Sequence, residues 1–216
     1  MKPTTRLRVT GGESRGTLLD LPDGVRPLPS RMKQALFNVL ADRVADAAVL
    51  DLFSGTGSLG IEAVSRGAAR AVLVERDPRV MEALKDNALR AGVADRCTIL
   101  CRDAYLAAEA VKPCSGPFDI VFLDPPYAQS EDAGCVRRLG DALEALDGAG
   151  MLSPDAALIL HVRAAGFSAE NLPERMEAED VRRYGSGTLM ICRLGKNTCN
   201  KPEAPGRIAG SSVEED

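Results

Sequence analysis

The chain has 216 residues, of which 45% are hydrophobic and 27% are charged, a composition typical of a soluble globular protein. This length fits one domain with extensions and argues against two equal domains. No apolar run approaches the roughly 18 residues of a membrane span, and the first residues lack the apolar core of an export signal. We therefore expect a cytoplasmic protein that does not contact a membrane.

The net charge of −4 is unevenly distributed. Residues 1–43 contain eight lysines or arginines and four acidic residues, a net charge of +4, whereas the remainder carries −8. A basic segment in an acidic chain is a hint of phosphate contact. A solvated surface without a partner is the alternative explanation.

The six cysteines are scattered, without a CxxC pair or a nearby histidine. Neither a zinc site nor a framework of disulfides is indicated by this spacing. We expect free thiols, most of them buried, and no bound metal.

Two elements are predicted before the alternating strands and helices. Residues 6–21 alternate apolar and polar side chains on either side of a diglycine turn, which predicts a small β-hairpin. Residues 26–29 form a proline-rich linker. Ser30 is then predicted to cap a helix over about residues 31–42.

From residue 47 the chain alternates strands and helices. The predicted strands cover residues 48–52, 71–75, 98–101, 118–123, 157–162, 178–184 and 188–194. The predicted helices cover residues 58–66, 78–91, 104–111 and 132–147. The pattern indicates an α/β fold with a Rossmann-like, doubly wound and mostly parallel sheet of seven strands. A tight glycine turn before the last strand predicts that this strand is antiparallel to its neighbour.

These patterns divide the chain into three predicted parts. Residues 1–29 form a basic hairpin extension, and residues 30–195 form the α/β domain. Residues 196–216 are rich in Asn, Pro, Gly and Ser and end in acids, so we expect a disordered tail.

A strand, a glycine-rich loop and a helix start follow one another between Val49 and Gly60. Gly55 and Gly57 begin a GxGxxG pattern that lets the backbone pass close beneath a ligand. Glu75 ends the next predicted strand, where its carboxylate can accept hydrogen bonds from both hydroxyls of a ribose. The arrangement predicts a nucleoside-containing cofactor.

Asp51 decides between the cofactors that this loop could bind. A pyrophosphate at the helix start would lie close to the Asp51 carboxylate, whereas the ammonium and sulfonium of S-adenosyl-L-methionine favour a nearby acid. S-adenosylmethionine is therefore preferred over a nicotinamide dinucleotide. Asp103 can accept from the adenine amine, or it can cap the helix that follows it. Phe53 and Ala104 complete the predicted cofactor-binding set.

Asp124-Pro125-Pro126-Tyr127 follows an apolar strand. The two prolines forbid a helix and remove two backbone donors. A carboxylate, a free carbonyl and a ring on a stiff turn suit a flat nucleobase. Tyr127 would stack on the base while Asp124 and the Pro125 carbonyl accept hydrogen bonds from an exocyclic amine. A strand end stiffened by proline, without a catalytic role, is the alternative.

These motifs resemble class I S-adenosylmethionine-dependent N-methyltransferases. Further segments of the chain are more specific: Arg8-Val9-Thr10-Gly11-Gly12, Arg15-Gly16, Arg26-Pro27, Arg31, Leu36-Phe37-Asn38, Leu59-Gly60-Ile61-Glu62-Ala63 and Arg183-Tyr184-Gly185. With them the chain more closely resembles the bacterial 16S rRNA (guanine(966)-N2)-methyltransferase family. The resemblance implies methylation of a guanine 2-amino group in 16S rRNA, on an assembling 30S subunit. We expect the protein to be a monomer. The chain departs from the family pattern at Leu28-Pro29-Ser30, Lys33-Gln34 and Arg163.

The predicted RNA contacts are basic residues of the first segment: Arg6, Arg8, Arg15, Arg26 and Arg31. Three other functions share parts of the pattern. An adenine-N6 methyltransferase of DNA or RNA shares the Asp-Pro-Pro-Tyr motif, an oxidoreductase shares the glycine loop, and a ribosome-assembly factor needs no catalysis. His161, the single histidine, is more typical of a packed or solvated strand residue than of a general base.

Overall fold

A computed structural model describes residues 6–22, 25, 28–112, 114, 116–126, 132–163 and 166–195. Two predicted site residues, Arg26 and Tyr127, lie outside the described residues, as does the predicted tail. The described helices include none that is long and apolar enough to cross a membrane.

The elements are as follows. The strands are β1 (Arg6–Arg8), β2 (Leu18–Asp20), β3 (Ala48–Leu52), β4 (Arg70–Glu75), β5 (Cys97–Cys101), β6 (Phe118–Leu123), β7 (Leu152–Arg163), β8 (Met176–Tyr184) and β9 (Gly187–Leu194). The helices are α1 (Ser30–Leu40), α2 (Gly60–Ser65), α3 (Pro78–Arg90), α4 (Ala107–Val111) and α5 (Ala133–Gly148). Short 3-10 turns cover Ala41–Arg43, Ala94–Arg96, Ala104–Leu106 and Ala169–Asn171.

The main sheet has the strand order β5-β4-β3-β6-β7-β9-β8. The pairs from β5 to β7 are parallel, whereas β9 is antiparallel to both β7 and β8. The chain moves from β3 to β5 in one direction and returns to β6 on the other side of β3. A crevice therefore lies at the carboxyl ends of β3 and β6, where open α/β sheets bind their ligands. The predicted seven-stranded fold with its antiparallel last strand is confirmed.

β3 and β6 are mostly apolar because both faces of the sheet are covered, and each contains a single polar residue, Asp51 in β3 and Asp119 in β6. On one face, Val49 packs with α1, α2 and α3 in a single buried cluster. On the other face, Leu50 and Val121 pack with α4 and α5. Strands buried on both faces lack the alternating polar residues of a solvated sheet, which is why their bounds were readable from the sequence.

The N-terminal hairpin is also confirmed, since β1 pairs antiparallel with β2. Leu7 lies opposite Leu19, and both side chains are buried in the cluster that contains Phe37 of α1. The hairpin therefore packs against the α/β core by its apolar face.

Two expectations from the sequence were wrong. Ser30 does not cap α1 but is its first residue, because Pro29, in an extended conformation (φ −55, ψ 138), occupies the cap position without a side-chain hydrogen bond. The thiols are less buried than expected. Among the described cysteines only Cys192, on the inner strand β9, is buried, and the other four are partly exposed.

Candidate active site

A cavity of about 710 Å³ lies at the carboxyl edge of the sheet, within the size range of small-molecule sites. The predicted site residues that line it are Asp51, Phe53, Gly55, Glu75, Ala104, Asp124 and Pro125. They lie at or just beyond the carboxyl ends of strands β3, β4, β5 and β6. The topology thus gathers one end of four strands around a single cavity.

The glycine loop turns sharply beneath this cavity. Gly55 and Gly57 have φ angles of 53° and 81°, a left-handed backbone conformation that residues with a side chain rarely adopt. Gly57 does not line the cavity but packs against α3, where an added Cβ would collide with Leu84. Phe53 also has a positive φ, of 63, which is uncommon for a bulky residue and marks the loop as a functional candidate.

The Asp51 carboxylate is 1% exposed and accepts a hydrogen bond from the Gly60 N–H, with an Oδ2 to N distance of 2.9 Å. Burial raises the pKa of Asp51 to about 8. The Gly60 donor opposes that rise, while the charges of Asp124 and Glu75 add to it. Asp51 is therefore a carboxyl group that lacks a cationic partner among the described residues.

Glu75 connects the end of β4 to the glycine loop. Its Oε2 accepts from the Gly55 N–H at 3.0 Å, and its Oε1 accepts from the Asp77 N–H at 2.8 Å. These two bonds fix the carboxylate at the cavity wall, where the sequence predicts that it binds a ribose.

Asp103 lies outside the set of cavity-lining residues. It caps the 3-10 turn before α4, because its Oδ1 accepts from the Tyr105 N–H at 3.1 Å. Its Oδ2 lies 3.2 Å from the Arg138 guanidinium, which also stacks over the Tyr105 ring at 4.1 Å. The capping alternative describes Asp103 in this structure, and an adenine contact stays a prediction.

Asp124 contacts a residue that the sequence reasoning did not select. His161 Nδ1 lies 2.8 Å from Asp124 Oδ1, and both residues line the cavity. The register of the sheet explains this contact, because Leu123 of β6 lies opposite Leu160 of β7. The next residue of each strand is then a neighbour of the other.

A buried ion pair between α1 and α2 connects the hairpin to the cofactor loop. Lys33 Nζ lies 2.9 Å from Glu62 Oε2, and both side chains are 0% exposed. The same ammonium donates to the Arg8 carbonyl at 3.1 Å and to Ser58 Oγ at 3.3 Å. Burial alone would raise the pKa of Glu62, but the Lys33 charge and the hydrogen bonds from Thr10 outweigh it and lower the pKa.

Asn87 of α3 also connects the hairpin to the cofactor loop. Its Nδ2 donates to the carbonyls of Asp20, at 3.0 Å, and Thr56, at 3.1 Å. Its Oδ1 accepts from the Asp20 N–H at 2.8 Å. Sequence reasoning missed both Lys33 and Asn87, because their partners belong to segments distant in sequence.

The predicted RNA contacts are placed on the hairpin and on α1. Arg6, Arg8, Arg15 and Arg31 are exposed. The Arg6 guanidinium lies 3.3 Å from the Asp20 carboxylate, and Arg8 donates to the Gly16 carbonyl at 3.1 Å. Since these side chains face solvent, a phosphate backbone could reach them. RNA contact by these arginines stays a prediction.

The family model described as Conserved hypothetical protein 95 matches residues 7–193. The chain belongs to this family. It is similar to Ribosomal RNA small subunit methyltransferase D of Escherichia coli (strain K12), with 42% identity over 126 residues, covering 56% of this chain and 61% of that relative. The match thus spans less than two thirds of the relative's length. The family resemblance inferred from the sequence is confirmed.

Solved structures give the same assignment of the fold. A provisionally assigned methyltransferase of Escherichia coli, yhhF, has a TM-score of 0.75 and 29% identity, covering 88% of this chain and 99% of that one. An RNA methyltransferase of Salinibacter ruber in complex with S-adenosyl-L-homocysteine has a TM-score of 0.58, at 20% identity over 79% of this chain and 95% of that one. The second likeness concerns the fold alone. The predicted class I methyltransferase fold is confirmed.

Proposed function

We propose that the protein is an S-adenosylmethionine-dependent methyltransferase that modifies the 2-amino group of a guanine in 16S rRNA. The observation that carries the proposal is the shared cavity. Asp124 and Pro125, suited to an exocyclic amine, line the same cavity as Asp51 and Glu75, suited to a cationic nucleoside.

The charges of the cavity fit this cofactor. Four carboxyl groups line it, from Asp51, Glu75, Asp77 and Asp124, whereas Arg76 is the one Lys or Arg among the described lining residues. Even with Asp51 protonated, the excess of negative charge favours a ligand with an ammonium and a sulfonium over one with a pyrophosphate. Asp51 would face the positive charge, and Glu75 would accept from the ribose. S-adenosylmethionine, when bound, supplies a methyl group already activated on a positively charged sulfur.

The residues after β6 prepare the nucleophile. A guanine 2-amino group is a weak nucleophile because its lone pair is delocalised into the ring. When the Asp124 carboxylate and the Pro125 carbonyl accept hydrogen bonds from its two N–H groups, the nitrogen can become pyramidal and its lone pair becomes available. Asp124 or solvent then receives the proton. The contribution of these groups is alignment and charge placement.

The target base must leave its stack before it enters the cavity. Unstacking costs a few kcal/mol, and stacking on Tyr127 would return roughly 1 to 3 kcal/mol. The exposed arginines of the hairpin would hold the flanking phosphates. The name of the Escherichia coli relative supports a small-subunit rRNA substrate, and we propose that a cytoplasmic monomer acts on the assembling 30S subunit without a metal ion.

The test is the Asp124→Ala variant in single-turnover methyl transfer from labelled S-adenosylmethionine to 30S particles. We expect at least about a 100-fold loss, the scale of removing one placed acceptor in the transition state, with cofactor affinity within a few-fold of wild type. Asp141→Ala, an exposed carboxylate on α5, is the matched control. A loss below tenfold in the folded variant would mean that the motif is only a structural turn.

Two other functions have distinct outcomes in the same assay. Methylation of an adenine in DNA or RNA would indicate an adenine-N6 methyltransferase. Binding to 30S particles without methyl transfer to any RNA would indicate a non-catalytic assembly factor.

A further inference from the structure

We propose that His161 is a positioning residue, which holds the Asp124 carboxylate in the orientation needed to accept the proton of the substrate amine. This inference rests on the proposed function, because it assigns a role to a neighbour of the proposed acceptor. His161 is 4% exposed, and its Nδ1 lies 2.8 Å from Asp124 Oδ1. The Asp124 side chain is 20% exposed and lines the cavity.

The two residues differ in how firmly their backbones are held. His161 lies inside β7, opposite Leu189 of β9, and the preceding residue Leu160 pairs with β6 on the other side. Asp124 is the first residue after β6, and Pro125, which follows it, has no N–H to extend the ladder. Strand pairing therefore fixes the position of His161. The Asp124 side chain lies at the end of a strand, where a hydrogen bond from His161 would fix its orientation.

The two carboxylate oxygens of Asp124 would have different hydrogen-bond partners. In the proposal, the Nδ1–H of His161 donates to Oδ1, and Oδ2 is left to accept from the substrate. A carboxylate held at one oxygen presents the other in one direction, whereas an unsupported one samples several rotamers. Misplacement of a reacting group by about 1 Å can cost about 100-fold in rate, so the contact is expected to act on the chemical step.

The alternative is that His161 only fills space in β7. Three substitutions separate these roles. His161→Leu keeps an apolar side chain in the strand but removes the donor, and His161→Asn places an amide N–H close to the position of Nδ1. His161→Gln keeps a polar side chain of similar length but places its donor near the position of Nε2.

The experiment measures single-turnover methyl transfer to 30S particles, cofactor affinity by calorimetry, and melting temperature for each variant. We expect His161→Leu and His161→Gln to slow transfer by about 10- to 100-fold, with cofactor affinity within about threefold of wild type. His161→Asn should restore the rate to within about fivefold of wild type. In an Asp124→Ala background, His161→Leu should cause no further loss, because both residues act through one carboxylate.

The outcomes that would overturn the proposal are distinct. Wild-type transfer by His161→Leu would overturn it, as would loss in His161→Asn equal to that in His161→Leu at matched melting temperatures. If His161→Leu does not fold, His161→Gln and His161→Asn carry the same comparison of donor position. If wild type transfers no methyl group, the proposed function itself fails. If Asp124→Ala retains full transfer, the role of Asp124 fails and this inference fails with it, whereas loss in Asp124→Ala with none in the His161 variants refutes only this inference.

Discussion

Asp51 gives the sharpest prediction for the cofactor, because its carboxyl is buried where a positive charge is expected to bind. Burial raises its pKa to about 8, the Gly60 N–H opposes that rise, and the charges of Asp124 and Glu75 increase it. Below pH 8 the free protein therefore carries a protonated Asp51. A cation prefers the ionised carboxylate, so binding must release that proton.

The expected change of cofactor affinity with pH follows from the pKa of Asp51. Below pH 8, each pH unit changes the cost of ionising Asp51 by about 1.4 kcal/mol, or tenfold. Raising the pH from 6 to 7 should therefore strengthen binding of S-adenosylmethionine by about tenfold. The amino group of the ligand stays protonated over this range, since α-amino groups titrate near pH 7.7 to 8.0. Asp51→Asn keeps an acceptor for Gly60 but has no proton to release, so its affinity should change less with pH.

Isothermal calorimetry at pH 6 and 7, in two buffers of different ionisation enthalpy, measures both affinity and proton release. Wild type should release close to one proton per bound cofactor more than Asp51→Asn. The subtraction removes any proton release that does not come from Asp51. Equal proton release and equal pH dependence in the two proteins would refute the reasoning.

Three further predictions concern the ribose, the hairpin and the RNA. Glu75→Ala should weaken S-adenosylmethionine binding by about 2 to 4 kcal/mol in calorimetry, because two charge-assisted hydrogen bonds are lost with partial compensation. Lys33→Met should lower the free energy of unfolding in urea by about 3 kcal/mol, the lower end of the range for a broken buried pair, because Glu62 keeps other donors. Arg8→Ala/Arg15→Ala should reduce the slope of log affinity for 30S particles against log salt by about 0.7 to 0.9 per lost contact.

Each of these variants has a matched control on the exposed surface. Glu82→Ala should leave cofactor affinity unchanged, Lys85→Met should leave stability within about 0.5 kcal/mol, and Arg102→Ala/Arg137→Ala should leave the salt slope unchanged. If Glu75→Ala leaves cofactor affinity unaltered, Glu75 does not bind the ribose. Equal stability of Lys33→Met and its control would mean that the ion pair contributes little, and identical slopes for the two arginine pairs would place the RNA surface elsewhere.

Much of the fold could be predicted because its central strands are mostly apolar on both faces. β3 and β6 have the predicted bounds, residues 48–52 and 118–123. The start of α1 was predicted less well, since Pro29 and Ser30 are both compatible with a helix start and only backbone geometry separates them. The cofactor loop was recognisable because its glycines and Glu75 lie at a characteristic spacing.

Contacts between distant segments could not be predicted in the same way. Lys33 pairs with Glu62 only because the hairpin and α1 pack against α2, and sequence patterns do not give that packing. The contact of His161 with Asp124 requires the strand order and the register of β6 with β7. A lone histidine in an apolar strand is most often a packed residue, so its chemistry became visible only when its neighbour was known.

The most direct test of the central claim is mass mapping of 16S rRNA nucleotides from 30S particles incubated with the protein and labelled S-adenosylmethionine. The proposed function predicts one labelled methyl group on the 2-amino group of a guanine, formed at least about 100-fold more slowly with Asp124→Ala. Labelled adenine, or unlabelled rRNA with the folded, cofactor-binding protein, would contradict it.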